Sequence, residues 1–165
     1  MACGDEDVTP VGAAELRTVL GHFASGVTVV AGLHEGRPAG FTCQAFLSLS
    51  LVPPLVAIAP GKSSTSWPRI AGAGVFCVNV LGGTQEALCR TFAGRGDDKF
   101  AGVGWSPATT GAPRLHGVLA WVDCQVDVAH EAGDHFLVVG RVIDVGVGEG
   151  EPLLFYRGGF GGFRP

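Results

Sequence analysis

Gly40-Phe41-Thr42-Cys43-Gln44-Ala45-Phe46-Leu47-Ser48-Leu49-Ser50, followed closely by Pro53-Pro54, is the stretch on which the fold of this chain turns. Ala39 to Cys43 reads as a strand, and Phe46 to Leu51 alternates apolar residues with Ser48 and Ser50 in the period of two that marks a half-buried strand. Pro53-Pro54 stops that strand, and Leu55 to Ala59 follows as a short apolar one. Upstream, the β-branched run Val27 to Ala31 and the turn His34-Glu35-Gly36-Arg37-Pro38 form a hairpin with the quoted stretch. Downstream, Val75 to Leu81, Leu119 to Ala129, Phe136 to Val147 and Leu153 to Tyr156 read as further strands, with Gly133-Asp134 as the turn between the two long ones. Short helices are predicted over Ala13 to Phe23, Ser64 to Ile70 (capped by Ser63 or Ser64) and Thr84 to Phe92 (capped by Thr84). Many short strands joined by glycine turns predict a barrel or sandwich. No strand–helix–strand alternation runs along the chain, and Gly158 to Gly162 does not have the GxGxxG spacing, so a parallel dinucleotide-binding sheet is excluded.

The length of 165 residues suits one domain, 13–165, behind a polar tail over 1–12. Hydrophobic residues make up 47% and charged residues 16%, with a mean hydropathy of +0.35. No apolar run approaches the ~20 residues of a membrane span, so the excess calls for a second copy or a ligand as cover. A net charge of −4 with scattered Lys and Arg excludes a nucleic-acid stripe. The five cysteines (Cys3, Cys43, Cys77, Cys89, Cys124) are odd in number and form no CxxC pair, so neither zinc nor a disulfide framework is implied. Asp5, Glu6 and Asp7 stand where a signal peptide needs positive charge, which points to the cytoplasm.

Three segments carry chemistry. In the quoted stretch, small polar residues at the end of an apolar strand leave the backbone free to approach a flat ring such as an isoalloxazine. The same residues also read as a strand end whose hydroxyls are satisfied locally. Gly61-Lys62-Ser63-Ser64-Thr65-Ser66-Trp67-Pro68 places hydroxyls and a lysine at a helix start, either a phosphate cradle or an ordinary cap. Gly133-Asp134-His135-Phe136 sets an imidazole at a turn, where it is either a donor to a ligand at a cleft rim or an ordinary turn histidine. The other four histidines read as ordinary surface residues.

Together, Phe23 to Val30, GFTCQAFLSLSLVPPLV, SSTSWPRI, FCVNVL, the Gln85 to Phe92 helix, Asp98-Lys99-Phe100 and GDHF resemble, in order and spacing over Leu16 to Phe163, the flavin reductase-like proteins with an FMN-binding split barrel. These are typified by the reductase components of two-component flavin monooxygenases. The resemblance implies a mainly β fold: a six-stranded antiparallel split barrel of Greek-key type with short flanking helices, paired as a homodimer with flavin near its interface. It implies that Thr42, Cys43, Gln44 and Ala45 meet the isoalloxazine and ribityl chain, with Ser48 and Ser50 on the same strand. Lys62, Ser63, Ser64 and Thr65 fall where the phosphate is held, and Lys99 and Phe100 close over the cofactor. His135 matches the histidine associated with nicotinamide binding and hydride transfer, and Tyr156 and Arg157 begin the segment that completes the nicotinamide pocket. Gln44 stands where many members have Asn or Ser, a variant resembling a subgroup tied to aromatic and steroid-ring monooxygenases, and Val52 replaces the usual Asp. The implied activity is reduction of FMN or FAD by NADH or NADPH to supply a separate oxygenase. The alternative is a flavin-binding carrier or storage module with little NAD(P)H turnover.

Overall fold

The computed structural model describes residues 10–96 and 98–163. Most of the predicted tail, with Cys3, therefore lies outside the described residues. In chain order the elements are α1 (Ala13–Leu20), β1 (Ser25–Gly26), β2 (Thr28–His34), β3 (Arg37–Cys43), β4 (Phe46–Leu51), β5 (Pro54–Ile58), α2 (Trp67–Ala73) and β6 (Val75–Val80). They continue with α3 (Glu86–Ala93), β7 (Trp105–Pro107), β8 (Pro113–Leu115), β9 (Ala120–Ala132), β10 (His135–Val147), β11 (Leu154–Tyr156) and β12 (Gly159–Gly161).

Seven strands form one antiparallel sheet in the order β3-β2-β6-β9-β10-β5-β4. Its two edges, β3 and β4, are consecutive in sequence and separated only by Gln44 and Ala45. Laid flat, seven strands at about 4.8 Å spacing would hold these edges about 29 Å apart. The link from Cys43 to Phe46 spans at most about 11 Å. The sheet must therefore roll until its edges meet at that link. No pairing joins β3 to β4, so the barrel stays split there. The antiparallel, mainly β architecture agrees with expectation, with one more strand than the six implied.

The strand pattern explains what fills the roll. Val30, Phe41, Val56, Ile58, Phe76, Val78, Cys124 and Val138 point inward and form the barrel core with Trp67 and Ile70 of α2. β2 is buried on both faces, because Val29 on its other side joins Leu81, Cys89, Phe92 and Leu115 in a second core beneath α3. A ribbon of β7 and β8, not foreseen from the sequence, is tied to the sheet by Asn79. The Asn79 Nδ2 donates to the carbonyls of Val29 (3.2 Å) and Pro113 (3.2 Å), and its Oδ1 accepts from Leu115 N at 2.8 Å. The carboxylate of Asp123, also buried, accepts from Thr110 N (2.7 Å) and Oγ1 (2.6 Å).

The helix starts differ in detail from expectation. α2 begins at Trp67 rather than Ser64, and its cap position is Ser66 rather than Ser63 or Ser64; the Ser64 hydroxyl only accepts Trp67 N at 3.1 Å from the preceding turn. Thr84 does not cap α3: Gln85 holds the cap position, and its Oε1 accepts the Gly82 N–H at 2.9 Å. The Gln85 amide reaches both Gly82 and His116, so it fixes the loop rather than the helix end.

Candidate flavin and nicotinamide site

The link that splits the barrel is also where the first predicted group of site residues stands. Thr42 Oγ1 donates to the Cys89 carbonyl at 2.6 Å, which ties the end of β3 to α3. Cys43 is buried and its Sγ donates to Ala45 O at 3.4 Å. Burial pushes its thiol up, against weaker lowering by the Ala59 and Ala45 backbone, so it serves as a packed thiol rather than a thiolate. Gln44 is exposed, and its Nε2 donates to Ser25 Oγ at 3.3 Å. The Ala45 carbonyl accepts from Ala59 N at 3.2 Å. Ser48 (exposed) and Ser50 (half-buried) stand on β4. Because β3 and β4 are edge strands, alternate N–H and C=O groups on their outer sides lack a ladder partner and can bind the edge of a flat heterocycle.

From Ala59 the chain passes Pro60 and Gly61 into the hydroxyl-rich segment. Lys62 lies over the Phe136 ring at 5.6 Å and pairs with Glu131 at 2.9 Å, so its charge is already matched. The Ser64 hydroxyl is engaged by Trp67 N, whereas Ser63 and Thr65 are exposed. Ser66, which sequence reasoning passed over, donates to the Gly40 carbonyl at 2.8 Å and locks the segment onto β3.

Lys99 reaches the same carbonyl from the other side. Its Nζ donates to Phe92 O at 3.0 Å and Gly40 O at 3.4 Å. Partial burial holds its pKa below the usual lysine range, and no carboxylate among the described residues pairs with it. An ammonium with two neutral acceptors and a third donor to spare suits an anion. Lys99, Thr65 and Ser66 line one narrow cleft with Gly40 and Phe100. Lys99, more than Lys62, is thus the cation available to a phosphate. Phe100 meets Phe92 edge-on at 4.9 Å and 86°, and Phe92 packs against Gly40. A Cβ on Gly40 would lie 2.8 Å from the Phe92 ring, so only glycine fits this close approach. A lone glycine inside a strand pattern was the available signal.

His135 opens β10 at the hairpin tip. Its Nδ1 lies 2.7 Å from Asp134 Oδ1, and that hydrogen bond, followed by the charge of the ring, holds the Asp134 carboxyl below its usual range. Arg17 of α1 adds a smaller lowering. The tip is laced to the hydroxyl-rich segment: Lys62 N donates to Asp134 O (2.9 Å), Phe136 N donates to Pro60 O (2.9 Å), and Gly61 bridges His135. Two segments more than 70 residues apart in sequence are therefore brought into one wall.

Tyr156 and Arg157 stand on a different flank. Arg157 N donates to Gly21 O at 3.1 Å, and Tyr156 meets His22 edge-on at 6.3 Å. Their strand, β11, pairs with β1, whose Ser25 accepts from Gln44. No hydrogen bond or ring contact joins them to His135 within the described residues of one chain. His135 and the hydroxyl-rich segment thus form one bonded group, and Gln44, Ser25 and the strand of Tyr156 form another.

The chain belongs to the flavin reductase like domain family, whose profile matches residues 20–164. It is 47% identical over 150 residues to the reductase subunit HsaB of a flavin-dependent monooxygenase from Rhodococcus jostii, covering 90% of this chain and 77% of that one. It is 47% identical over 149 residues to a flavin reductase of Pseudomonas putida, covering 89% and 88%. Among solved structures, the NADH:FAD oxidoreductase SgcE6 of Streptomyces globisporus, in complex with NAD and FAD fragments, superposes with a TM-score of 0.86 at 38% identity, covering 92% of this chain and 93% of that one.

Proposed function

We propose that this chain is an NAD(P)H:flavin oxidoreductase that reduces FMN or FAD and hands the product to a separate oxygenase. The observation that carries the reading is the split of the barrel at 42–45, where edge strands β3 and β4 meet: β3 carries the Gly40 carbonyl that Lys99 binds, and Ala45 is bonded to Ala59, which leads into the segment laced to the His135 hairpin. The residues fit the group: edge donors suit a flavin ring, and Lys99 with Thr65 suits its phosphate. Bound flavin supplies the N5 that accepts a hydride from the nicotinamide C4. The chain's own residues bind, orient and shield. Thr42, Cys43, Gln44 and Ala45 hold the ring edge, and Ser48 and Ser50 line its strand. Ser63, Ser64 and Thr65 with Lys99 hold the phosphate, Lys62 standing nearby in its pair with Glu131. Phe100 covers the cofactor, Tyr156 and Arg157 complete the nicotinamide pocket, and His135 orients the nicotinamide by a hydrogen bond. Positioning two rings in van der Waals contact is the protein's main contribution.

The protein works in the cytoplasm as a homodimer of one domain, 13–165. Support for pairing comes from a continuous row across the outer face: Leu47 opposite Ala57, Ala57 opposite Val139, and Val139 opposite Val128. Leu47 is 50% and Val128 38% exposed in the single chain, and Leu49, Leu137 and Ile143 are exposed as well. Sharing of the flavin task with an oxygenase is supported by the relatives that are reductase components of monooxygenases. Mixing the purified protein with NADH or NADPH and FMN or FAD in all four pairings tests the reading. Loss of nicotinamide absorbance in at least one pairing is expected, and none in any pairing defeats it.

A further inference from the structure

The hairpin tip and the hydroxyl-rich segment meet at one cross-strand pair, Gly61 opposite His135. The bonds from Lys62 N to Asp134 O and from Phe136 N to Pro60 O flank this pair on both sides. It is therefore the non-hydrogen-bonded kind, in which opposite side chains stand closest. Gly61 presents no side chain. A Cβ there would lie 3.6 Å from His135 Nε2, 3.8 Å from its Cδ2 and 3.9 Å from Ser63 Oγ. These are van der Waals distances, and the φ of Gly61 lies outside the left-handed region. Neither backbone strain nor a clash therefore calls for glycine here. Its effect is to leave open the one spot that Nε2 and the Ser63 hydroxyl both border.

Both atoms are uncommitted. Nδ1 faces the Asp134 carboxylate, which only accepts, so Nδ1 carries the proton and in the neutral ring Nε2 keeps its lone pair. The Ser63 hydroxyl makes no hydrogen bond among the described residues. An acceptor and a hydroxyl donor bordering one spot match a primary carboxamide, whose NH2 donates to the first while its carbonyl accepts from the second. We propose that Ser63 is the second ligand of the nicotinamide carboxamide, beside His135, and that Gly61 sets specificity for that group by keeping its place open. The proposal rests on the reductase reading above and deepens it. The phosphate contact of Ser63 then falls to its backbone N–H, which is unbonded among the described residues.

The test uses the full chain loaded with FMN, and calorimetric dissociation constants for NAD+ and for its 3-acetylpyridine analogue, which keeps the carbonyl and replaces NH2 by methyl. Oxidised dinucleotides bind oxidised flavoprotein without turnover, so the readout is affinity alone. Wild type is expected to bind the analogue about three- to tenfold more weakly than NAD+, the worth of one neutral hydrogen bond. His135→Ala is expected to weaken NAD+ by about that factor and the analogue hardly at all. Ser63→Ala is expected to weaken both by about three- to tenfold, and Ser63→Thr, which keeps the hydroxyl, to restore them. Gly61→Ala is expected to weaken NAD+ about tenfold or more, with FMN affinity by fluorescence unchanged in every variant. Unchanged NAD+ affinity in Ser63→Ala overturns the proposal and leaves the reductase reading intact. Equal losses for the two dinucleotides in His135→Ala also overturn it, assigning the spot to a part they share, such as a phosphate. Loss of FMN binding in Ser63→Ala hands the hydroxyl to the flavin and overturns it too. A wild type that neither binds the dinucleotides nor oxidises NADH removes both the proposal and the reading beneath it.

Discussion

At Gly133-Asp134 the chain reverses in two residues, with Gly133 at φ +62°, the left-handed conformation a tight hairpin of this kind asks of its first central residue. His135 leaves that turn with Nδ1 committed to Asp134, so Nε2 is the nitrogen left for a ligand. If that nitrogen orients the nicotinamide, His135→Ala raises the KM for NADH up to about tenfold, the worth of one ordinary hydrogen bond, while flavin binding persists. Steady-state kinetics with varied NADH check this, and an unchanged KM sinks the assignment. His135, Lys99 and the Thr42–Ala45 link were legible because their neighbours recur as motifs. The Gly40 carbonyl, shared by Ser66 from 26 residues away and by Lys99 from 59, was not. Local pattern holds no record of a hydrogen bond made across the barrel. For the same reason the sequence, which assigned Lys62 to the phosphate and Lys99 to the closing element, held no sign that Glu131 pairs with Lys62.

At the level of elements, the run of β-branched and apolar residues, joined in β4 by the period of two, located the seven strands of the large sheet to within a few residues. It failed for β7 and β8, three residues each and flanked or filled by prolines, which carry no period of their own. Their order comes from tertiary bonds instead, chiefly those of Asn79, which is fully buried with both its amide groups used. Asn79→Leu removes those bonds and strands the Leu115 N–H and Pro113 carbonyl in the core. The expected loss of stability is about 2–4 kcal/mol, one or two unsatisfied groups at about 1–3 each. Urea unfolding measures it, and a loss under about 0.5 kcal/mol would show that the ribbon does not depend on this residue. Helix α1 teaches the opposite lesson. It was expected over Ala13 to Phe23 and forms over Ala13–Leu20, yet none of its residues is buried. Leu16, Val19 and Leu20 face solvent in the single chain. The helix pattern records a packing surface, and the surface that covers it is not supplied by the described residues of this chain.

The whole molecule is a sheet rolled around the barrel core, with a second core beneath α3, its edges meeting at the Gln44–Ala45 link and an apolar outer face left over. The mean hydropathy of +0.35 anticipated that excess without locating it. The cross-strand register locates it on the row from Leu47 to Val128. Placing carboxylates there, as Leu47→Asp with Val128→Asp, buries charge only if a second copy covers the row. Sedimentation of wild type is expected to give a dimer and the double variant a monomer. A double variant that remains dimeric would move the interface elsewhere. The reductase reading requires that electrons pass from nicotinamide to flavin on this chain, and anaerobic mixing of protein, flavin and a small excess of NADH reads that directly. Loss of the oxidised-flavin absorbance in one-to-one step with NADH consumption, absent without protein, is the predicted result. Flavin that stays oxidised in the presence of protein and NADH would contradict it.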